Sequence, residues 1–449
     1  MANGLAVTKA IGSGSPAPAA LMSGSTRADR AGNSFAAYLA KYRLGGTRQT
    51  QTQPSATTIG AGSPLGTSAQ RSDVATLLRG TDAVGANAPL RAESAAGQTA
   101  TTAPTSRVGG TVKTTQPAAV QRAEMPTSVS QTGASRPMSL AEFPRPANDN
   151  GRGMHWVPIT YTTNDVVDRY VAEAEKMGIK WMVLLNDGTR IGENDYLVDR
   201  LVEKGIMPVM RVYTPNGQPI EGDLEALVRH YRERGVQYFQ LYNEPNLNVE
   251  NPDGTPNVDR YVDLWTKAAR AVVAGGGLPG FGALSPGGNY DDIEFLNRAL
   301  DRIKAKGDVQ LLDRAWLSLH NYTFNHPLDY TKDSNGYLKF RWYDAIVREK
   351  LGRSMPIIGT EGGTFVGANE DKTLPAVTPE KQVEMVVGAY DCVQRRREPY
   401  YFAYTYWLIA NEAGGGHDRG FSHHALFKPD GVSPVVDALR RTANRGTAQ

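Results

Sequence analysis

The sequence contains very little cysteine, because Cys392 is the only one among 449 residues. An intrachain disulfide is therefore excluded, and so is a zinc site built from several cysteines. Long apolar runs are also missing: no window approaches 18 uninterrupted apolar residues, so the sequence predicts no membrane span. The first residues carry one lysine and an apolar run broken by glycine, serine and proline, which is not a recognisable secretory signal. We therefore expect either a cytoplasmic protein or export by a non-classical route.

Aromatic residues are nearly absent from the first third of the chain. Only four of the 37 aromatics fall in residues 1–150, namely Phe35, Tyr38, Tyr42 and Phe143. A hydrophobic core needs large apolar side chains to offset the loss of chain entropy, and this region has too few of them. Alanine, serine, threonine, glycine and proline dominate it instead. The composition predicts a disordered, low-complexity tail over residues 1–150 and one folded domain over residues 151–449.

The positive charge of the chain belongs to the same tail. Residues 1–150 hold 14 Lys and Arg against 7 Asp and Glu, a net charge of +7, so the overall +3 leaves −4 for residues 151–449. No run of basic residues reaches the density of a nucleic-acid patch. We therefore expect no nucleic-acid partner, and the sequence indicates no particular oligomeric state.

Beyond residue 151 the sequence alternates regularly between two patterns. Short apolar runs, typical of buried strands, occur at 154–159, 181–185, 207–213, 236–242, 280–284, 315–320, 355–360 and 401–408. Helical patterns separate them at 165–178, 194–204, 222–234, 258–274, 291–306, 340–351 and 379–396, and a last one covers 434–443. Eight strands, each followed by a helix, predict an α/β fold of the (β/α)₈ TIM barrel class. A doubly wound sheet would carry a phosphate-binding loop after its first strand, which this sequence lacks.

Polar and aromatic residues stand where several of the predicted strands end. They are Arg211 on strand 3, Asn243 and Glu244 on strand 4, His320 and Tyr322 on strand 6, Glu361 on strand 7 and Trp407 on strand 8. In a parallel barrel the carboxyl ends of the strands meet at one mouth, so these side chains are expected to converge.

The two glutamates lie on strands that face each other across such a barrel. Two carboxyl groups about 5–5.5 Å apart suit a retaining glycosidase, in which one is the acid and the other the nucleophile. Like charges so close raise the pKa of one member of the pair. His320 and Tyr322, on the neighbouring strand, can orient the nucleophile by hydrogen bonding, and Trp407 offers an apolar face for a sugar ring.

Each of these residues also has a plainer interpretation. Glu244 can be a solvated loop carboxylate, His320 a satisfied core histidine and Trp407 a packing residue. The group His417, Asp418, His423 and His424 suggests a metal site, but it lies in a glycine-rich loop without the ligand spacing of a rigid site. We favour a substrate-contacting lid there and expect no metal and no cofactor.

The order of these motifs resembles clan A of the glycoside hydrolases, the retaining (β/α)₈ group that includes families 5 and 39. The resemblance rests on Asn243-Glu244-Pro245, His320-x-Tyr322, Thr360-Glu361-Gly362 and Trp407, and it covers roughly residues 154–443. It implies that Glu244 is the acid/base and Glu361 the nucleophile. It further implies that Asn243 holds the sugar 2-hydroxyl and Tyr322 contacts the nucleophile, with Arg211 matching the clan's active-site arginine.

The sequence therefore predicts a retaining hydrolase of O-glycosidic bonds in an oligo- or polysaccharide. Long loops after strands 4 and 8, at Asn246–Asn257 and Asn411–Lys428, favour an extended groove and endo-action. Two alternatives stay open at this point. One is a non-catalytic carbohydrate-binding barrel, and the other is a transglycosylase that uses the same two glutamates.

Overall fold

Eight parallel strands form a closed barrel in which each strand pairs with the next and β8 pairs with β1. The computed structural model describes residues 136–395, 398–411 and 421–443. The strands are β1 (Arg152–His155), β2 (Trp181–Asp187), β3 (Met207–Tyr213), β4 (Tyr238–Leu241), β5 (Leu278–Leu284), β6 (Trp316–Tyr322), β7 (Ile357–Gly363) and β8 (Tyr401–Tyr406). A short antiparallel pair, β9 (Phe427–Lys428) and β10 (Gly431–Val432), follows β8. The predicted TIM barrel is confirmed.

A helix follows each barrel strand, close to where the apolar periodicity placed it. The helices are α1 (Asn164–Lys176), α2 (Asp195–Glu203), α3 (Leu224–Glu233), α4 (Val258–Ala274), α5 (Asp292–Ala305), α6 (Lys339–Leu351), α7 (Pro379–Gln394) and α8 (Pro434–Thr442). Side chains cap two of these helices: Asp223 accepts from the backbone N–H of Ala226, and Thr378 accepts from that of Lys381. Thr163 is the N-cap residue of α1.

The first strand is the one that differs most from its prediction. The apolar run at 154–159 predicted one strand, but β1 ends at His155. Pro158 lacks a backbone N–H, and the Ile159 N–H donates to the Val157 carbonyl at 2.9 Å, which turns the chain away from the barrel. The early end of β1 places the His155 side chain at the mouth of the barrel.

The barrel interior is apolar at the end where its strands begin. Large side chains from the first two residues of five strands pack there: Trp181, Met207, Tyr238, Trp316 and Phe402. The rings of Trp181 and Tyr238 lie 5.6 Å apart, and those of Tyr238 and Trp316 lie 5.7 Å apart. This apolar cluster, called the plug below, fills the barrel at the end where the strands begin. The polar side chains of the interior lie at the opposite end.

The segment 137–150 lies against the same end of the barrel. Phe143 is buried in the plug, and the Arg145 guanidinium stands 4.0 Å from the centre of the Phe402 ring. Asp149 accepts a hydrogen bond of 2.8 Å from the Trp181 indole. These residues fall within the tail predicted for 1–150, whereas the rest of that prediction lies outside the described residues.

In the described part of the chain, no helix combines the length and the apolar character that crossing a membrane requires.

Candidate active site

A local irregularity in β7 directs Glu361 into the barrel. On β6, Trp316, Ser318 and His320 share the inward face, and Ser318 is hydrogen-bonded to Thr360 of β7 at 2.7 Å. A regular strand would then turn Glu361 outward, because neighbouring side chains alternate between faces. The pairing shifts at this point, however: Leu319 pairs with Gly359, and His320 pairs with Glu361. The extra residue in β7 brings Thr360 and Glu361 to the same side.

The Glu361 carboxylate is buried and held at both oxygens. Arg211 of β3 donates to Oε1, and the Tyr322 hydroxyl donates to Oε2 at 2.7 Å. Burial alone would raise the pKa of Glu361, but the charges of His320 and Arg211 and the hydrogen bond from Tyr322 lower it to about 2. Glu361 is therefore an oriented carboxylate at neutral pH.

Tyr322 is fixed as the donor in this contact. Burial, reinforced by the charge of Glu361, raises the pKa of the Tyr322 phenol well above its ordinary value. The phenol therefore keeps its proton and donates it in the hydrogen bond to Glu361 Oε2. The structure thus places Tyr322 against Glu361, the residue for which the sequence resemblance implied the role of nucleophile.

His155, at the end of β1, is hydrogen-bonded to Arg211. Its Nε2 lies 3.3 Å from the Arg211 guanidinium and its Nδ1 lies 2.9 Å from the Trp156 carbonyl. Since arginine only donates, Nε2 must accept, so the proton is on Nδ1 and the ring is neutral. Burial and the charge of Arg211 lower the pKa of His155 to about 3, which agrees with this tautomer.

Glu244 follows β4 in an unusual backbone conformation. Its φ is +38°, and Tyr242, two residues earlier, has φ +64°. A side chain is rarely found in this left-handed region, and such residues concentrate at functional sites. The conformation is held by the Glu244 N–H, which donates to the Ala283 carbonyl of β5 at 2.7 Å, and by the Leu247 N–H, which donates to the Glu244 carbonyl. Glu244 is thus fixed beside the barrel mouth, with 8% of its surface exposed.

One imidazole ring connects the two glutamates. His320 is fully buried, its Nδ1 lies 2.9 Å from Glu244 Oε1, and its Nε2 lies 3.6 Å from Glu361 Oε1. Only the first distance is a hydrogen bond. The sequence had assigned His320 to orienting the nucleophile; in the structure its hydrogen bond goes to Glu244 instead. Both carboxyl groups therefore face opposite nitrogens of the same ring.

Asn243 lies beside this network with one of its amide atoms occupied. Its Nδ2 donates to Glu250 Oε1 at 3.3 Å, and Glu250 belongs to a short 3₁₀ turn at Asn248–Glu250. The buried Asn243 Oδ1 has no hydrogen-bond partner among the described residues. An acceptor in that condition suits a ligand hydroxyl.

Trp407 follows β8 and reaches the site through His155. The centres of their rings lie 4.2 Å apart with an interplanar angle of 60°, and the centre of the Phe421 ring lies 5.6 Å from that of the indole. Only 6% of the Trp407 surface is exposed. The indole N–H, although buried, meets no acceptor within the described part of the chain.

The described residues contain no group of three or more His, Cys, Asp and Glu side chains arranged to hold a metal ion. Of the four loop residues considered for one, His417 and Asp418 lie outside the described residues. His423 and His424 pack against Phe365, with ring centres 4.7 and 4.5 Å away. Burial lowers the pKa of both imidazoles, so they are neutral packing groups at physiological pH.

The Arg211–Glu361 pair makes a prediction about stability. We expect R211M to lower the free energy of unfolding by about 3–5 kcal/mol at pH 7, because it leaves a buried carboxylate without its cation. The lowered pKa of Glu361 stabilises the fold above its ordinary value of about 4.3, and this contribution is lost as the pH falls towards 2. Urea unfolding at several pH values should therefore show the difference between R211M and wild type shrinking on acidification.

The matched control is R229M, which removes an exposed arginine paired with Glu225 on α3. It should change the unfolding midpoint little, since surface pairs contribute little. A loss in R211M that is no larger than in R229M, or that does not depend on pH, would contradict this account of the pair.

Two residues of the site were missed at the level of sequence. His155 lay inside the predicted strand 154–159, so it was not recognised as a strand end. Glu250 lies in the loop after β4, where the sequence shows only one more carboxylate in a polar stretch. Its proximity to Asn243 depends on how that loop folds back, and no local pattern reports this.

Comparison with known proteins finds similar chains among solved structures. No protein-family model matches the sequence, and no curated protein does. Among solved structures, a monomeric β-xylosidase from Caulobacter crescentus CB15 is similar, with 16% identity over 69% of this chain and 70% of that one and a TM-score of 0.47. A family 39 glycoside hydrolase from Xanthomonas axonopodis pv. citri has 16% identity, covers 67% of each chain and has a TM-score of 0.44. An endo-β-1,3-glucanase of family 128 from Pseudomonas viridiflava has 17% identity over 65% of this chain and 97% of its own, with a TM-score of 0.42. The (β/α)₈ architecture of this chain is shown by its own closed barrel of eight parallel strands.

Proposed function

We propose that this protein is a retaining O-glycoside hydrolase that acts on an oligo- or polysaccharide. The observation that carries the proposal is the arrangement of two glutamates around His320. Glu361 is held as a buried carboxylate by Arg211 and Tyr322, while Glu244 is hydrogen-bonded to the other side of the His320 ring. One oriented anion and one carboxyl group in a separate environment are what a nucleophile and an acid/base require.

In the first step a Glu361 oxygen attacks the anomeric carbon of the sugar. The bond from that carbon to the leaving oxygen breaks, and Glu244 transfers its proton to this oxygen. The Arg211 and Tyr322 contacts keep Glu361 ionised and fix the direction of its lone pairs before the substrate arrives. The product of the step is a glycosyl ester of Glu361.

In the second step Glu244, now ionised, removes a proton from water as the water attacks the anomeric carbon. The ester bond breaks, the sugar leaves with its original anomeric configuration, and Glu361 is again a carboxylate. No residue has to move between the steps, because the His320 contact orients the Glu244 carboxyl whichever of the two groups carries the proton. The mechanism uses no metal and no cofactor.

The sugar and the linkage are set by loops around the mouth, and a fold shared by many glycosidases does not select among them. We favour endo-action, because the loop after β4 is long and is held by hydrogen bonds within it. Asn251 donates from its amide to the carbonyls of Pro245 and Leu247, at 2.9 and 2.7 Å. A loop held in this way can form one wall of an extended groove.

The test is the stereochemistry of hydrolysis by the full chain. The protein is first incubated with a panel of aryl glycosides and polysaccharides, and the best substrate is then followed by proton NMR of the anomeric signal. We expect the product to appear first with the configuration of the substrate and only later to mutarotate. First appearance of the opposite anomer would replace the retaining mechanism by an inverting one.

Two other functions share parts of this site. A non-catalytic carbohydrate-binding barrel would bind members of the panel without releasing product. A transglycosylase would form the same ester but deliver the sugar to an added acceptor, which product analysis with and without that acceptor detects. The buried contacts around Glu361 favour catalysis over binding alone, because a binding protein has no use for an oriented, ionised nucleophile.

A further inference from the structure

The site contains a third carboxyl group, on Glu250, to which the two-glutamate mechanism assigns no role. Glu250 ends the short turn after β4, and its Oε1 accepts the hydrogen bond from Asn243 Nδ2. This contact determines which way the Asn243 amide faces. Its nitrogen is used by Glu250, so its oxygen, which has no partner among the described residues, is presented to a ligand.

The position of Glu250 is built by several parts of the chain. Arg260 of α4 donates to the Gly217 carbonyl at 2.7 Å and to Asn251 Oδ1 at 3.4 Å, which ties the loop after β3 to the loop after β4. At Gly217 the chain has φ +55°, and a side-chain Cβ there would stand only 2.8 Å from the Glu250 carbonyl. Glycine is therefore required for the two loops to approach each other.

Charged groups act on Glu250 from two strands, from the loop after β4 and from a helix. Glu244, Glu361 and Arg211 all act on its carboxyl electrostatically, and Arg260 lines the same small cavity. Burial of the carboxyl and the charge of Glu244 raise the pKa of Glu250 to about 8. The hydrogen bond from Asn243 and the charge of Arg211 lower this pKa, but their effect is smaller. The residue as a whole is half-buried. At neutral pH the group is accordingly a carboxylic acid, which still accepts from Asn243 through its carbonyl oxygen.

We propose that Glu250 is a positioning residue of this site: it orients the Asn243 amide towards the substrate and couples Asn243 to the acid/base carboxyl of Glu244. This inference rests on the proposed glycosidase function for its catalytic consequences. Its structural basis, the contact of Glu250 with Asn243 in closely packed loops together with the electrostatic effect of Glu244 on the Glu250 carboxyl, is independent of that function.

The catalytic test is a double-mutant cycle with Asn243. E250A should lower kcat/KM at least ten-fold, and E250Q should recover most of the loss, because a glutamine oxygen can accept the same hydrogen bond. In an N243A background, E250A should have little further effect, since Glu250 acts through Asn243. The same fold loss in both backgrounds would contradict the positioning role.

The pH profile of kcat/KM supplies a second catalytic measurement. In wild type a charge forms on Glu250 near pH 8, where burial and the charge of Glu244 have raised its pKa. The alkaline limb should therefore contain an ionisation near pH 8 in wild type that is absent in E250Q, while D253N, which changes an exposed carboxyl on the same loop, should keep it. Coincident limbs for E250Q and wild type would overturn the coupling to Glu244.

Stability measurements separate this inference from the proposed function. A folded-state pKa above the ordinary value means that the protonated form stabilises the fold, and that this stability is lost as the pH rises from about 4.3 to 8. As the pH rises over this range, the melting temperature of E250Q should therefore increase relative to that of wild type. The melting temperature of D253N should not. A difference in melting temperature between E250Q and wild type that stays constant with pH would contradict the inference about Glu250. A stable protein that turns over no glycoside would contradict only the proposed function.

Discussion

Replacing Glu361 with alanine is expected to lower kcat on an activated aryl glycoside by about 10⁴-fold or more, the scale seen when one member of a catalytic group is removed. The variant has no carboxylate to form the glycosyl ester, so the whole first step is lost rather than slowed. The hydrogen bonds from Arg211 and Tyr322 that prepare this carboxylate also lose their acceptor. Steady-state release of the aryl group from purified full-length protein measures the effect.

Two controls make this result specific. E384A removes an exposed glutamate from α7, the helix that follows the same strand, and should turn over at the wild-type rate. E361Q keeps the shape of the side chain while removing its charge, so its far-ultraviolet circular dichroism should match wild type although its activity does not. Turnover by E361A within a few-fold of wild type would rule out Glu361 as the nucleophile.

Most of the fold could be predicted because its units are local. Each strand and helix is marked by its own apolar period, and caps such as Asp223 and Thr378 mark helix starts within a residue or two. The closed barrel then follows from the count of eight repeats. The end of the first strand could not be predicted in this way, because the apolar run continues to residue 159 whereas β1 ends at His155.

The site was predictable as a set of residues and less so as a set of contacts. Strand ends placed Glu244, Glu361, His320 and Tyr322 at one mouth, and the structure brings them into one network. The inward direction of Glu361 could not be read from the sequence, because it depends on a one-residue shift in the pairing of β6 with β7. Such shifts leave no period in the sequence, and they decide which side chains meet.

The same limit explains why Glu250 was not recognised. Its contact with Asn243 joins a loop residue to a strand end, and it exists because Gly217, in another loop, admits the Glu250 backbone. The raised pKa of Glu250 arises from burial and from Glu244, neither of which is visible before the chain is folded. Sequence patterns identified residues that carry chemistry, whereas non-local packing assigned their protonation states.

Replacing Glu244 with alanine should slow hydrolysis by an amount that depends on the leaving group. For a substrate with a poorly acidic alcohol as leaving group, we expect kcat/KM to fall by about 10²–10⁴-fold, the usual contribution of a general acid. A dinitrophenyl glycoside needs no proton to depart, so its first step should be affected far less. Its ester intermediate should then accumulate, because water has lost its base, and a burst of dinitrophenol followed by a slow steady state should be seen.

Added azide should separate the acid/base role of Glu244 from a purely structural one. In E244A the missing carboxylate leaves room for a small anion beside the anomeric carbon, and azide attacks without needing a base. We expect azide to restore turnover of the dinitrophenyl glycoside by E244A and to yield a glycosyl azide of retained configuration, while wild type shows no acceleration. A variant whose loss is the same for all leaving groups and is unaffected by azide would show that Glu244 supports the fold of the mouth and does not transfer the proton.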